Sequence, residues 1–128
     1  MNWKLSALAF FFCMVSLPTD AATWILIGKT NRGDVFFVDK SSLQKDGDSV
    51  TFWYRTNYVE RSPAGALSHK IQKTVNCHRR EEIGRYVMGY DDIDNRGRLT
   101  TSGDPNDRWA PIPPESMHWE MMLFVCRK

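Results

Sequence analysis

Three cysteines occur in the 128 residues, and their placement relative to one apolar run constrains the fold more than any other feature. Met1-Asn2-Trp3-Lys4 opens the chain with one positive charge, and Leu5 to Leu17 follows without a charged residue. Pro18 and the stretch Thr19-Asp20-Ala21-Ala22 then turn the composition small and polar. That order reads as a secretory signal peptide over residues 1–21, with cleavage after Ala21 or Ala22. The apolar run is shorter than the ~20 residues a spanning helix needs. No later run is long enough to span, so no membrane span is expected after cleavage. Cys13 leaves with the leader. It is not read as a lipid acceptor, because Phe10-Phe11-Phe12 stand where small residues belong.

Export then leaves two cysteines, Cys77 and Cys126. An even count in an oxidising compartment reads as a disulfide. Two cysteines are too few for a soft-metal site, and they lack the C-x-x-C spacing of a redox pair. The expectation is a structural bridge between distant parts of one domain, residues 22–128.

Charge excludes some partners. Seventeen basic and fifteen acidic residues give a net charge of +2, and the leader takes one of each sign. That balance does not support nucleic-acid binding. No glycine-rich phosphate loop is present.

The remaining chain reads as strands followed by one helix, an α+β arrangement. Thr23 to Lys29 is an apolar run of strand length, and Val35 to Asp39 returns from a turn at Asn31-Arg32-Gly33-Asp34. Ser41 to Asp48 reads as a loop with a second turn. Ser49 to Tyr58 alternates, with Val50, Phe52, Tyr54 and Tyr58 on one face and Thr51, Trp53, Arg55 and Asn57 on the other. Leu67 to Cys77 alternates again and points Cys77 toward the core. Lys73 falls on its apolar face, which an edge position or a bulge would allow. Arg85 to Tyr90 and Leu99 to Ser102 are the last two strands. Ser116 to Arg127 lacks Gly and Pro and sets Met117, Met121, Phe124 and Val125 on one stripe. Pro114 suits the first helical turn, and Glu115 complements the helix dipole.

At these residues the chain resembles the surface-adhesin protein E family of small exported bacterial proteins. The resemblance is carried by Trp24, Phe37-Val38-Asp39, Ser42-Leu43, Gly47 and Val50-Thr51-Phe52-Trp53. It continues through Ser68-His69-Lys70, Cys77, Tyr86, Trp109 to Ser116, and Val125-Cys126. It implies an antiparallel sheet of about six strands with one C-terminal helix packed on it and tied by the cysteine pair. It also implies a homodimer, and binding of host extracellular-matrix and plasma proteins such as vitronectin, laminin and plasminogen. The chain departs from lipid-anchored members in lacking an acyl-accepting cysteine. The alternative is therefore a periplasmic interaction or envelope-maintenance protein with no host ligand.

Candidate binding residues are few. Arg32-Gly33-Asp34 is an integrin-type tripeptide at a predicted hairpin tip, and equally ordinary turn chemistry. Lys70, Lys73, Arg79 and Arg80, with His78 and Arg85, gather around the strand that ends at Cys77. Such a group suits an acidic glycosaminoglycan or protein face, or simply a solvated strand edge. Trp53, on the polar face of its strand, is the aromatic most suited to an interface. His69, His78 and His118 are scattered, no catalytic motif is present, and no free thiol remains after bridging. Non-catalytic binding is expected, without metal or cofactor, in the periplasm or at the outer cell surface.

Overall fold

The computed structural model describes residues 9–14, 21–105 and 108–127. Most of the leader lies outside them. Its described part has no helix or strand, and Phe10, Phe11, Phe12 and Met14 are 83–94% exposed.

The eight strands are β1 (Trp24–Lys29), β2 (Val35–Asp39), β3 (Gln44–Asp46), β4 (Ser49–Asn57), β5 (Ser68–Asn76), β6 (Glu81–Tyr90), β7 (Leu99–Gly103) and β8 (Ala110–Pro111). They form one antiparallel sheet in the order β1-β2-β4-β5-β6-β7, with β3 added to β4 and β8 to β6. One helix, α1 (Met117–Val125), follows. The six expected strands are all present. β3 and β8 are short additions, and β3 occupies part of the segment expected to be a loop.

The turn chemistry is as the residues require. Gly33 adopts φ +99° in the β1–β2 turn, a conformation that costs a side-chain-bearing residue but not glycine. After β2, Asp39 is buried and its Oδ1 accepts hydrogen bonds from Thr23 N, Ser41 N and Ser41 Oγ at 2.8, 3.1 and 2.6 Å. That carboxylate caps a single 3-10 turn over Lys40–Ser42 and lets the chain re-enter the sheet as β3.

β4 is the spine. Val50, Phe52, Tyr54 and Thr56 are buried along one face. Val38 of β2 and Val75 of β5 join them, and Met121, Met122 and Val125 of α1 close the core. Burial of such side chains is the main driving force for folding. Gly28 makes room for the start of the helix, since a Cβ there would lie 2.8 Å from Met117 Cε.

Two local expectations change. Pro114 and Glu115 precede the helix rather than forming its first turn. Glu115 takes φ +64°, and Ser116 is the N-cap, its Oγ accepting from Trp119 N at 3.1 Å. Ser outcompetes the preceding residues because its side chain satisfies an orphan backbone donor. β6 also begins at Glu81, ahead of the expected Arg85, because the register shift at Gln72/Lys73 lets pairing continue past Gly84.

Cys77 and Cys126 are bonded, with Cα atoms 5.8 Å apart and a sequence separation of 49. Cys77 follows β5 directly and Cys126 is the C-cap of α1. Closing a loop of that size removes denatured-state entropy worth about 4 kcal/mol in the chain-entropy model. A helix this short has little stability by itself. The paired Cys77→Ser, Cys126→Ser variant is expected to lose about 4 kcal/mol in urea unfolding, with amide exchange of α1 accelerating more than that of β4. Equal exchange in the two elements would show that the bridge does not anchor the helix.

Candidate functional site

Alternation along β4 gives the sheet two unlike faces. The even-numbered positions meet α1. Thr51, Trp53, Arg55 and Asn57 point the other way and are partly buried. Register extends that second face across the sheet. Phe37 pairs with Arg55 and Arg55 with Lys70; Trp53 pairs with Gln72 and Gln72 with Tyr86; Thr51 pairs with Thr74. Among the described residues no α-helix covers this face; a 3-10 turn over Ile93–Asn95 covers its Asn57–Ser68 end.

Its side chains alternate between aromatic rings and cations. The Arg55 guanidinium lies 4.6 Å from the Trp24 ring centroid and 4.7 Å from that of Phe37. It also meets Asp94 at 3.2 Å, with only 12% of its side chain exposed. Burial pushes its pKa down and Asp94 pushes it back up. Asp94 is fixed by reciprocal hydrogen bonds with Asn57 at 2.8 and 2.9 Å. Arg55 is thus a structural cation that locks the loop after β6 onto the sheet. Lys70 Nζ lies 5.0 Å from the Trp53 ring centroid, and Tyr86 packs edge-on to Trp53 at 6.4 Å. Arg85 is exposed, and its Nε donates to Thr74 Oγ1 at 3.1 Å. Among the described residues neither Lys70 nor Arg85 has a carboxylate within salt-bridge distance.

The structure divides the expected basic group. Lys70 lies on the open face. Arg79 and Arg80 sit in the β5–β6 turn, where Arg80 takes φ +56° and places its guanidinium 5.6 Å from the Trp119 ring. His78 is exposed in the same turn. Lys73 is turned inward, 2% exposed, on an inner strand at the bulge. Of the two explanations for Lys73, the bulge is present and the edge position is not. The tripeptide Arg32-Gly33-Asp34 is held internally. Asp34 Oδ1 accepts from Val59 N at 3.0 Å, Thr30 Oγ1 accepts from Asp34 N at 3.1 Å, and Arg32 faces Glu60 at 3.7 Å.

Lys73 belongs to a cluster beneath α1. Its Nζ donates to Glu82 Oε2 at 2.7 Å and lies 2.9 Å from His118 Nδ1. His118 Nδ1 is also 3.2 Å from Glu82 Oε1, and the ammonium sits 4.9 Å from the Tyr54 ring centroid. A neutral Nδ1 accepts from Lys73, whereas a protonated one donates to Glu82, so the ring serves one partner at a time. Burial pushes the Glu82 carboxyl up, but hydrogen bonds from His118 and Lys73 together with the Lys73 charge outweigh it and hold it at about 2. Burial pushes the Lys73 ammonium down. His69 is elsewhere, paired with the Tyr58 hydroxyl. No three His, Cys, Asp or Glu side chains gather as metal ligands among the described residues.

The sequence does not predict that Tyr86 packs on Trp53 or that Trp24 and Phe37 flank Arg55. Period-two alternation places Trp53 with Arg55, but the register that brings Tyr86 beside them is a long-range property.

A family model described as surface-adhesin protein E matches residues 24–127. No curated protein matches the sequence. Haemophilus influenzae protein E in crystal form II superimposes with a TM-score of 0.59 at 20% identity, covering 85% of this chain and 91% of that one. A second structure of Haemophilus influenzae protein E gives 0.56 at 21% identity, covering 85% and 88%. At that identity the likeness concerns the fold.

The inner cluster generates a stability prediction. Glu82→Gln leaves the Lys73 charge buried without its counter-ion and is expected to cost about 3 kcal/mol. Adding Lys73→Met is expected to restore most of that loss. The depressed Glu82 carboxyl contributes stability that is complete above its ordinary 4.5 and is lost as pH falls through about 2. Urea midpoints of wild type should therefore fall across that window more steeply than those of the double variant. Parallel curves would remove the ion pair from the stability account.

Proposed function

The chain belongs to the surface-adhesin protein E family, and from that premise we propose that it is an exported, non-catalytic binding protein that engages host extracellular-matrix or plasma proteins through the open face of its sheet. The observation that carries this reading is the half-exposed row of Trp53, Tyr86 and Lys70 opposite the helix-covered core. Aromatic side chains give large contact area at low entropic cost, and a cation beside them favours an acidic partner. Export is supported by the leader's residue order, and its described phenylalanines are 83–94% exposed. Among the described residues no helix is long and apolar enough to cross a membrane.

Arg32 and Asp34 contribute less to this reading than the open face, because the Asp34 carboxylate is already engaged by Val59 N of the loop after β4. Arg79 is a secondary contact, exposed in the turn at the end of β5.

A second reading follows from the absence of small residues before Cys13. Without an acyl anchor the mature chain would remain in the periplasm and bind an envelope partner through the same face. Location separates the two. Surface display predicts that protease added to intact cells degrades the mature chain, and periplasmic residence predicts protection until the outer membrane is opened.

Binding tests the common core of both. Lys70→Glu and Trp53→Ala are expected to weaken capture of immobilised vitronectin or laminin at least tenfold, measured by surface plasmon resonance, with Arg79→Ala plus Arg80→Ala causing a smaller loss. Unchanged capture by both open-face variants would remove this face from the function.

A further inference from the structure

The open face carries more than a row of rings. Beside the Trp53–Gln72–Tyr86 row lies a shallow trough of about 410 Å³, with Gln44, Asp46, Thr51, Gln72, Arg85 and Trp109 among its lining residues. Its chemistry is unlike that of a protein-binding hot spot, which is built on buried apolar anchors. Here two amides, the hydroxyls of Ser49, Thr51 and Thr74, the Arg85 guanidinium and the Asp46 carboxylate converge, and Trp109 stands 45% exposed at the wall. Thr51 and Thr74 are hydrogen-bonded to each other at 2.8 Å, so their hydroxyls are fixed in position. The arrangement offers donors and acceptors at fixed spacing with a flat aromatic surface beside them.

We propose that this trough binds a short stretch of acidic glycan in which carboxylated sugars are separated by neutral ones. Hydroxyl-rich rings match the amides and hydroxyls of Gln44, Gln72 and Thr51, and the apolar side of a sugar ring suits Trp109. The charge pattern selects the class. Lys70 and Arg85 lie on opposite sides of the Trp53–Gln72–Tyr86 row, so the cations are spaced apart with neutral hydrogen-bonding groups between them. Asp46, itself part of the lining, repels a dense polyanion. Widely spaced carboxylates satisfy both conditions, and a heavily sulfated chain satisfies only the first. This inference rests on the reading of the open face as the binding surface.

The test titrates the oxidised mature protein with a hyaluronan octasaccharide, a heparin octasaccharide and the neutral malto-octaose, mapping amide shifts by NMR. The hyaluronan fragment is expected to shift Thr51, Gln72, Thr74 and Arg85, and to bind at least tenfold more tightly than the neutral one. Gln72→Ala and Arg85→Gln should each weaken it at least fivefold, while Arg79→Ala plus Arg80→Ala leaves it unchanged. Equal binding of the neutral sugar, tighter binding of heparin, shifts confined to the Arg79–Arg80 turn, or no binding would each overturn the proposal. The same variants are also assayed for vitronectin and laminin capture. Loss of matrix-protein capture in Lys70→Glu and Trp53→Ala, with no octasaccharide binding by wild type, rejects the glycan and leaves the open-face reading standing. Absence of both effects rejects the two together.

Discussion

Cys77 directly follows the central strand β5 and Cys126 caps the only α-helix among the described residues, so their bond ties the end of that helix to the middle of the sheet. The consequences run outward from there. A nine-residue helix is too short to hold itself, yet Met121, Met122 and Val125 supply one wall of the core. Clamped at its C-terminal end and capped by Ser116 at the other, the helix stays on one face of the sheet. That placement makes this face the dry one and leaves the opposite face to the solvent.

The two faces solve the problem of buried charge differently. Beneath the helix, Lys73 is accommodated only because Glu82 and His118 meet it and the bulge next to it permits the approach. On the open face, Arg55 lies between two rings and is neutralised by Asp94. Lys70 and Arg85 remain half-exposed or exposed beside Trp53 and Thr74. The first two cations are structural, and the last two are available to a partner. Sequence proximity alone would have grouped Lys70 and Lys73, which the pleat sends to opposite sides.

The residues disclose the covered face well and the open face poorly. Alternation in Ser49 to Asn57 sets Phe52 and Tyr54 inward, and the odd cysteine inside an apolar leader identifies the bonded pair. Both signals are local or compositional. The start of β6 at Glu81 was hidden, because Glu81-Glu82-Ile83-Gly84 lacks strand-like alternation and is recruited by pairing with β5. The helix starts three residues beyond Pro114 because Ser116 caps better than Pro114 initiates. Alternation sets Lys73 on the apolar face, but its partners come from another strand and from the helix, so the segment alone does not show what neutralises it. The Trp53–Tyr86 contact likewise depends on pairing across strands, which no single segment encodes.

The account stands on the bridge drying one face and leaving the other open, and hydroxyl-radical footprinting of the mature protein before and after reduction measures both halves together. With the bridge intact, Met121 and Met122 are expected to resist oxidation while Trp53 and Tyr86 are labelled; after reduction the two methionines should become reactive and the labelling of Trp53 and Tyr86 should hardly change. Methionines that stay protected in the reduced protein, or a Trp53 and Tyr86 already shielded in the isolated oxidised chain, would contradict it.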